Sequence, residues 1–167
     1  REMHFPHSLG LLYSAFTYYL GFEVNSGEYK MMGLAPYADR NAPLVQQFKS
    51  IIEKELVKVF ADGSIEMNQR YFSYAHDLKM VPDHQWKRLF GFKKRLPSEE
   101  INENHTAMAQ AIQLLTEEII LKMAATAKAI TGVENLCLAG GVALNCVANG
   151  RLKASGLFKD IFIQPAA

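Results

Sequence analysis

Residues 135–164 constrain this chain more than any other stretch. Asn135-Leu136-Cys137-Leu138-Ala139 is a short apolar run and Gly140-Gly141 follows it. A helical pattern of about three turns then leads to Ser155, with Gly156 at its end, before a second apolar run, Asp160-Ile161-Phe162-Ile163-Gln164. Two strands joined through a helix must lie parallel with a right-handed crossover, so the segment predicts a βαβ unit and places the chain in the α/β class. Cys137 and Cys146 are too few and too awkwardly placed for a disulfide framework or a closed metal site, and both read as buried free thiols.

The upstream chain predicts mostly helices. Leu9, Leu12, Ala15, Phe16, Tyr19 and Leu20 recur at helical spacing over 8–20, with Ser8 as cap and Gly21 as stop. Residues 24–30 read as a turn opening a short second helix that Pro36 ends, since the residue before a proline avoids the α region. Pro43 opens a third helix whose apolar stripe runs to about Leu56. The runs 57–60 and 65–68 flank Asp62-Gly63 and predict a small antiparallel hairpin. An irregular excursion over about 69–104 follows, with a short helix near 84–90 and Tyr71, Phe72, Tyr74 and Trp86 to dock it. Residues 106–131 form the clearest element, a long amphipathic helix between a cap at Asn104 and a stop at Gly132.

Composition excludes several classes of function. The 167 residues suit a single domain, here expected to be a partial one spanning 1–167, and 49% hydrophobic residues are enough for a packed core. A net charge of +1 gives no field to draw the chain onto nucleic acid or an anionic membrane. The basic residues Lys87, Arg88, Lys93, Lys94 and Arg95 read as a solvated loop. No apolar run approaches the roughly 20 residues of a membrane span, and no secretory pattern opens the sequence, so the expected location is cytoplasmic. Because the chain starts at Arg1 and stops at Ala167 just after a strand-like run, both ends read as cut, and the expectation is an internal piece of a larger protein.

Chemistry is best argued at Gly140 and Gly141. Glycines at the carboxyl end of a parallel strand leave backbone amides bare, and a helix starting there turns its positive end toward an anion such as a phosphate. Asn145, one turn on, can offer an amide to a ribose or a base edge. A tight turn without a ligand is the competing reading. Glu28 and Lys30 can converge on a polar substrate only from a turn; capping by Glu28 beside a solvated Lys30 is the alternative. His4, His7, His76, His84 and His105 show no metal-ligand spacing, so no metal is expected here.

Three blocks carry a resemblance: Phe5-Pro6-His7-Ser8-Leu9-Gly10 continuing to Thr17, the block from Val24 through Gly27-Glu28-Tyr29-Lys30 to Pro36-Tyr37, and residues 135–149 followed by 162–167. In this order they resemble the carbamoyltransferase family, which includes nodulation protein U and the antibiotic O-carbamoyltransferases. The resemblance implies a helix-rich piece of an actin-like ATPase (ribonuclease H-like) fold, with the βαβ unit and hairpin described above. It further implies transfer of a carbamoyl group from carbamoyl-adenylate, made from carbamoyl phosphate and ATP, to a hydroxyl of a small-molecule acceptor. Gly140, Gly141 and Asn145 look like nucleotide contacts by this likeness, and Glu28 and Lys30 fall near the cleft. Catalytic residues and a divalent metal such as iron are expected elsewhere in the complete protein, leaving this piece inactive alone. Ala38 stands where the family usually has glycine, which bears on the local turn. The competing functions are a non-catalytic interaction module and a sugar kinase or ATPase of the same superfamily; a homodimer through uncovered apolar surface is also expected.

Overall fold

The structure is a computed structural model that describes residues 2–165. Arg1, Ala166 and Ala167, the last two belonging to the terminal block quoted above, lie outside the described residues. The described chain is α/β, with six α-helices, an antiparallel strand pair and a parallel one.

Helix α1 (Leu9–Tyr19) begins as expected, with the Ser8 hydroxyl accepting the Leu11 N–H, and it ends where Gly21 turns left-handed. Helix α2 (Glu28–Leu34) ends as an α-helix just before Pro36, as expected, although Ala35 stays in the α region at φ −52°, ψ −45°. The backbone continues as a 3-10 turn over Ala35–Tyr37, because the missing proline N–H falls at the start of that turn, where it has no intrahelical partner to lose. Ala38 then sits at φ −110°, ψ 138°, extended backbone that alanine adopts as freely as glycine. Helix α3 (Pro43–Ile51) widens into a π-helical turn over Ile52–Leu56. The hairpin follows as β1 (Val57–Val59) and β2 (Ile65–Met67), in the register Val57 opposite Met67.

The excursion carries α4 (Asp83–Phe90) and is pinned by an aromatic cluster. Trp86 is fully buried, 4.7 Å from Phe16 and 5.1 Å from Tyr19 between ring centroids, and its indole N–H donates to the Tyr71 carbonyl at 2.8 Å. Contrary to the solvated-loop expectation, Arg95 is only 5% exposed and Lys94 lies over the Tyr18 ring. The Arg95 guanidinium donates to the carbonyls of Leu20, Leu96, Pro97 and Glu99, so it closes the end of α1 and the excursion together. Buried charge of this kind is tolerated because the planar guanidinium spreads its donors over several acceptors.

Helix α5 (Glu103–Thr131) is the axis of the fold. Its cap is Asn102 rather than Asn104: Asn102 Oδ1 accepts the Asn104 N–H, while His105 Nδ1 accepts the Asn102 N–H in return. From Ala107 to Glu117 every residue is buried, so the single-stripe amphipathic reading holds only for the carboxyl-terminal half. Helices α1, α2 and α3 and the Ala35–Tyr37 turn pack on it, as does α6 (Cys146–Ala154), which leaves residues 107–117 no solvent face. Gly132 ends it in the left-handed conformation.

Strands β3 (Asn135–Leu138) and β4 (Asp160–Ile163) pair in parallel, Asn135 opposite Asp160. Only one face of this pair is covered. Leu136, Leu138 and Ile161 pack inward, while Phe162 is 60% exposed. Both cysteines are exposed free thiols, which corrects the expectation that they are buried: Cys137 points to the uncovered face and Cys146 opens α6.

Candidate functional site

The chain between β3 and α6 is built differently from a direct strand-to-helix turn. Gly140 adopts φ 89°, a conformation open to glycine, and Gly141–Leu144 coil into a 3-10 turn before α6 starts at Cys146. The positive end of α6 is therefore displaced from Gly141 by one short turn. A Cβ added at either glycine would meet nothing within 4 Å, so the backbone at this corner is bare, as the strand-end argument requires.

This corner forms one wall of a cavity of about 620 Å³. Gly141, Val142, Leu144 and Asn145 line it on one side, and Gly10, Tyr13 and Ser14 of α1 line it on another. The loop residues Asn25 and Ser26, with Glu28 and Met32 of α2, close the remainder. Three of the five residues singled out in the sequence, Gly141, Asn145 and Glu28, therefore share one cavity. Gly140 lies just behind the wall, and Lys30 is exposed on α2 beside the Tyr29 ring, outside the lining.

Glu28 opens α2 as its first residue and faces the cavity. Its carboxylate accepts the Ser14 hydroxyl at 2.7 Å and the backbone N–H groups of Asn25 at 3.0 Å and Gly27 at 3.2 Å. Acidic side chains are stabilised at this position by the helix dipole. Asn145 is buried at the α6 N-cap, where its Oδ1 accepts the Ala148 N–H at 3.0 Å. Its amide also exchanges two hydrogen bonds with Gln113 of α5, at 3.0 and 3.1 Å.

Gln113 was not among the residues read from the sequence. It accepts the Tyr13 hydroxyl at 3.0 Å and donates to Glu117 at 3.2 Å; Glu117 in turn takes Arg40 at 3.1 Å and Arg151 at 2.7 Å. Burial pushes the Tyr13 phenol above its ordinary value; the charges of Glu28 and Glu117 add to that rise, and the Asn145 side chain opposes it. Tyr13 therefore stays a neutral hydroxyl on the cavity wall throughout the physiological range.

A second cavity of about 470 Å³ lies on the other side of Gly10 and Val142, lined largely by apolar residues of α5 and β3 with His7 and Asn149. Among the described residues no group of three His, Cys, Asp or Glu side chains is placed to hold a metal ion, and no helix is long and apolar enough to cross a membrane.

This α/β chain, with its bare glycine corner on the cavity, matches one family end to end. The family described as "Carbamoyltransferase N-terminus" matches residues 1–167, and this chain belongs to it. The nodulation protein NolNO of Sinorhizobium fredii is 34% identical over 98% of this chain and 22% of its own length. NolO of Bradyrhizobium diazoefficiens is 35% identical over 96% of this chain and 26% of its own. An uncharacterised protein of Synechocystis is 51% identical over 99% of this chain and 26% of its own. The chain thus spans about a quarter of the length of these relatives.

Proposed function

We propose that the complete protein is an O-carbamoyltransferase and that this chain supplies part of its nucleotide site, within an actin-like ATPase fold. The carbamoyl donor is carbamoyl-adenylate, made from carbamoyl phosphate and ATP, and the acceptor is a hydroxylated small molecule. In the transfer, the acceptor oxygen bonds the carbamoyl carbon, the bond from that carbon to the adenylate phosphate breaks, AMP leaves and the hydroxyl proton is released.

The observation that carries this reading is the meeting of Gly141, Asn145 and Glu28 on one cavity in a chain of the carbamoyltransferase family. Bare amides at the Gly140-Gly141 corner suit the adenylate phosphate, whose charge they meet without a side chain in the way. Polar side chains deeper in the wall, Asn145 and Glu28 among them, suit hydroxyl and amino groups of a nucleoside. What these residues contribute is binding and orientation. The divalent metal implied by the family resemblance has no ligand set among the described residues, and no step in this reading passes through it.

The test is Asn145→Ala in the complete protein. Loss of one hydrogen bond to the nucleotide should weaken ATP affinity about threefold to tenfold. Unchanged affinity and turnover would remove Asn145 from the site. ATP turnover that needs no carbamoyl phosphate would favour a kinase or ATPase instead, and no heat on ATP titration would favour an interaction module. A cytoplasmic homodimer is part of the same proposal, motivated by the uncovered Phe162 face; light scattering that gives a monomer would dismiss the dimer.

A further inference from the structure

Gln113 and Glu117 lie one turn apart on α5, at 1% and 2% exposure, where apolar side chains would pack without any desolvation cost. Their hydrogen bonds run in one direction. The Glu117 carboxylate, held by Arg40 and Arg151, has no hydrogen to give, so whatever faces it must donate. Gln113 therefore turns its Nε2 toward Glu117 and its Oε1 toward Tyr13 and Asn145. The second Nε2 hydrogen goes to Asn145 Oδ1, which also holds the Ala148 N–H. Both lone pairs of Asn145 Oδ1 are then filled and one hydrogen of its Nδ2 is used. The hydrogen that remains has no acceptor in hydrogen-bond geometry among the described residues; it belongs to a side chain that lines the cavity next to the Tyr13 phenol, whose pKa the same side chain lowers.

We propose that Gln113, anchored by Glu117, is a positioning residue that locks the Asn145 amide so that it meets the ligand as a hydrogen-bond donor. The ligand atom opposite Asn145 is accordingly an acceptor, such as a ring nitrogen or an ether, hydroxyl or phosphate oxygen. This rests on the reading of Asn145 as a nucleotide contact. Neither Gln113 nor Glu117 is among the residues that line the cavity, so both act through Asn145.

The experiment is a double-variant cycle in the complete protein, with ATP as the probe in titration calorimetry and circular dichroism to follow folding. Asn145→Asp keeps an oxygen to cap α6 but has no hydrogen to offer. It should lose ATP affinity about tenfold or more, with its helix content unchanged. Gln113→Met keeps the side-chain length and removes the amide; its loss in affinity should nearly vanish when Asn145 is already alanine, because the two residues act as one unit. Should Gln113→Met fail to fold, Glu117→Gln replaces it, since an amide at 117 no longer dictates which way Gln113 turns. Losses that add fully in the double variant overturn the positioning role alone. Wild-type affinity in Asn145→Asp overturns the donor assignment. Wild-type affinity in Asn145→Ala overturns the nucleotide reading beneath it, and this proposal with it.

Discussion

Replacing Gly63 with alanine should be among the most damaging single-methyl additions in this chain. Gly63 closes the hairpin turn at φ 84°, and a Cβ there would lie 2.5 Å from the Met123 backbone nitrogen and 3.0 Å from the Ile119 carbonyl oxygen. Two costs combine. Holding an alanine in the left-handed region costs about 1–2 kcal/mol, and pushing the hairpin off α5 to relieve a backbone clash costs about 1–3 kcal/mol more. The total is about 2–5 kcal/mol, a large share of the ~5–15 kcal/mol that stabilises a typical domain. Gly132 supplies the control, because it is also left-handed, at φ 67°, yet a Cβ there meets nothing within 4 Å. Gly132→Ala should lose the conformational part only. Urea unfolding followed by far-ultraviolet circular dichroism measures both variants, and the gap between them is the contact between hairpin and helix. Equal losses would show that the hairpin does not press on α5, and the packing argument would fail.

Two further predictions concern the caps and the buried charge. Burial first, and then the Arg95 charge, hold the His105 imidazole below its ordinary value, with Glu99 opposing. The unfolded chain then binds more protons than the folded one as pH falls through about 6.5, so stability is full above that value and declines below it. His105→Gln, which keeps an acceptor for the Asn102 N–H, should flatten the slope of melting temperature between pH 7.5 and 5.5; an unaltered slope would assign it to other groups. Arg95→Lys should destabilise by about 1–3 kcal/mol, because one ammonium cannot satisfy the carbonyls of Leu20 and Glu99 together. A urea midpoint matching the parent would contradict the clamp.

Much of the secondary structure was legible because its signals are local. Ser8 and Gly21 bound α1, Asp62-Gly63 turn the hairpin, Gly132 stops α5, and each acts through its own backbone. What stayed hidden depends on distant partners. Arg95 is buried with the Leu20 carbonyl, 75 positions away, among its acceptors, and nothing in a basic run announces that. Gln113 and Glu117 carry no signal of their own in the sequence, and their burial comes from α1 and α6 closing over that side of α5. Asn102 and Asn104 are equally good caps by residue type; the reciprocal bond from His105 decides between them. Gly141, Asn145 and Glu28 were each singled out from the sequence, whereas their sharing one cavity required the fold.

Helix α1 separates two environments. Tyr13 and Ser14 look into the cavity shared with the glycine corner, while Phe16 and Tyr19 of the same helix press on the indole of Trp86, the chain's single tryptophan. The molecule therefore carries a built-in optical gauge on the far side of the cavity wall. Any occupant that tilts this helix alters the ring stack around the fluorophore, and its emission registers the arrival without an added label.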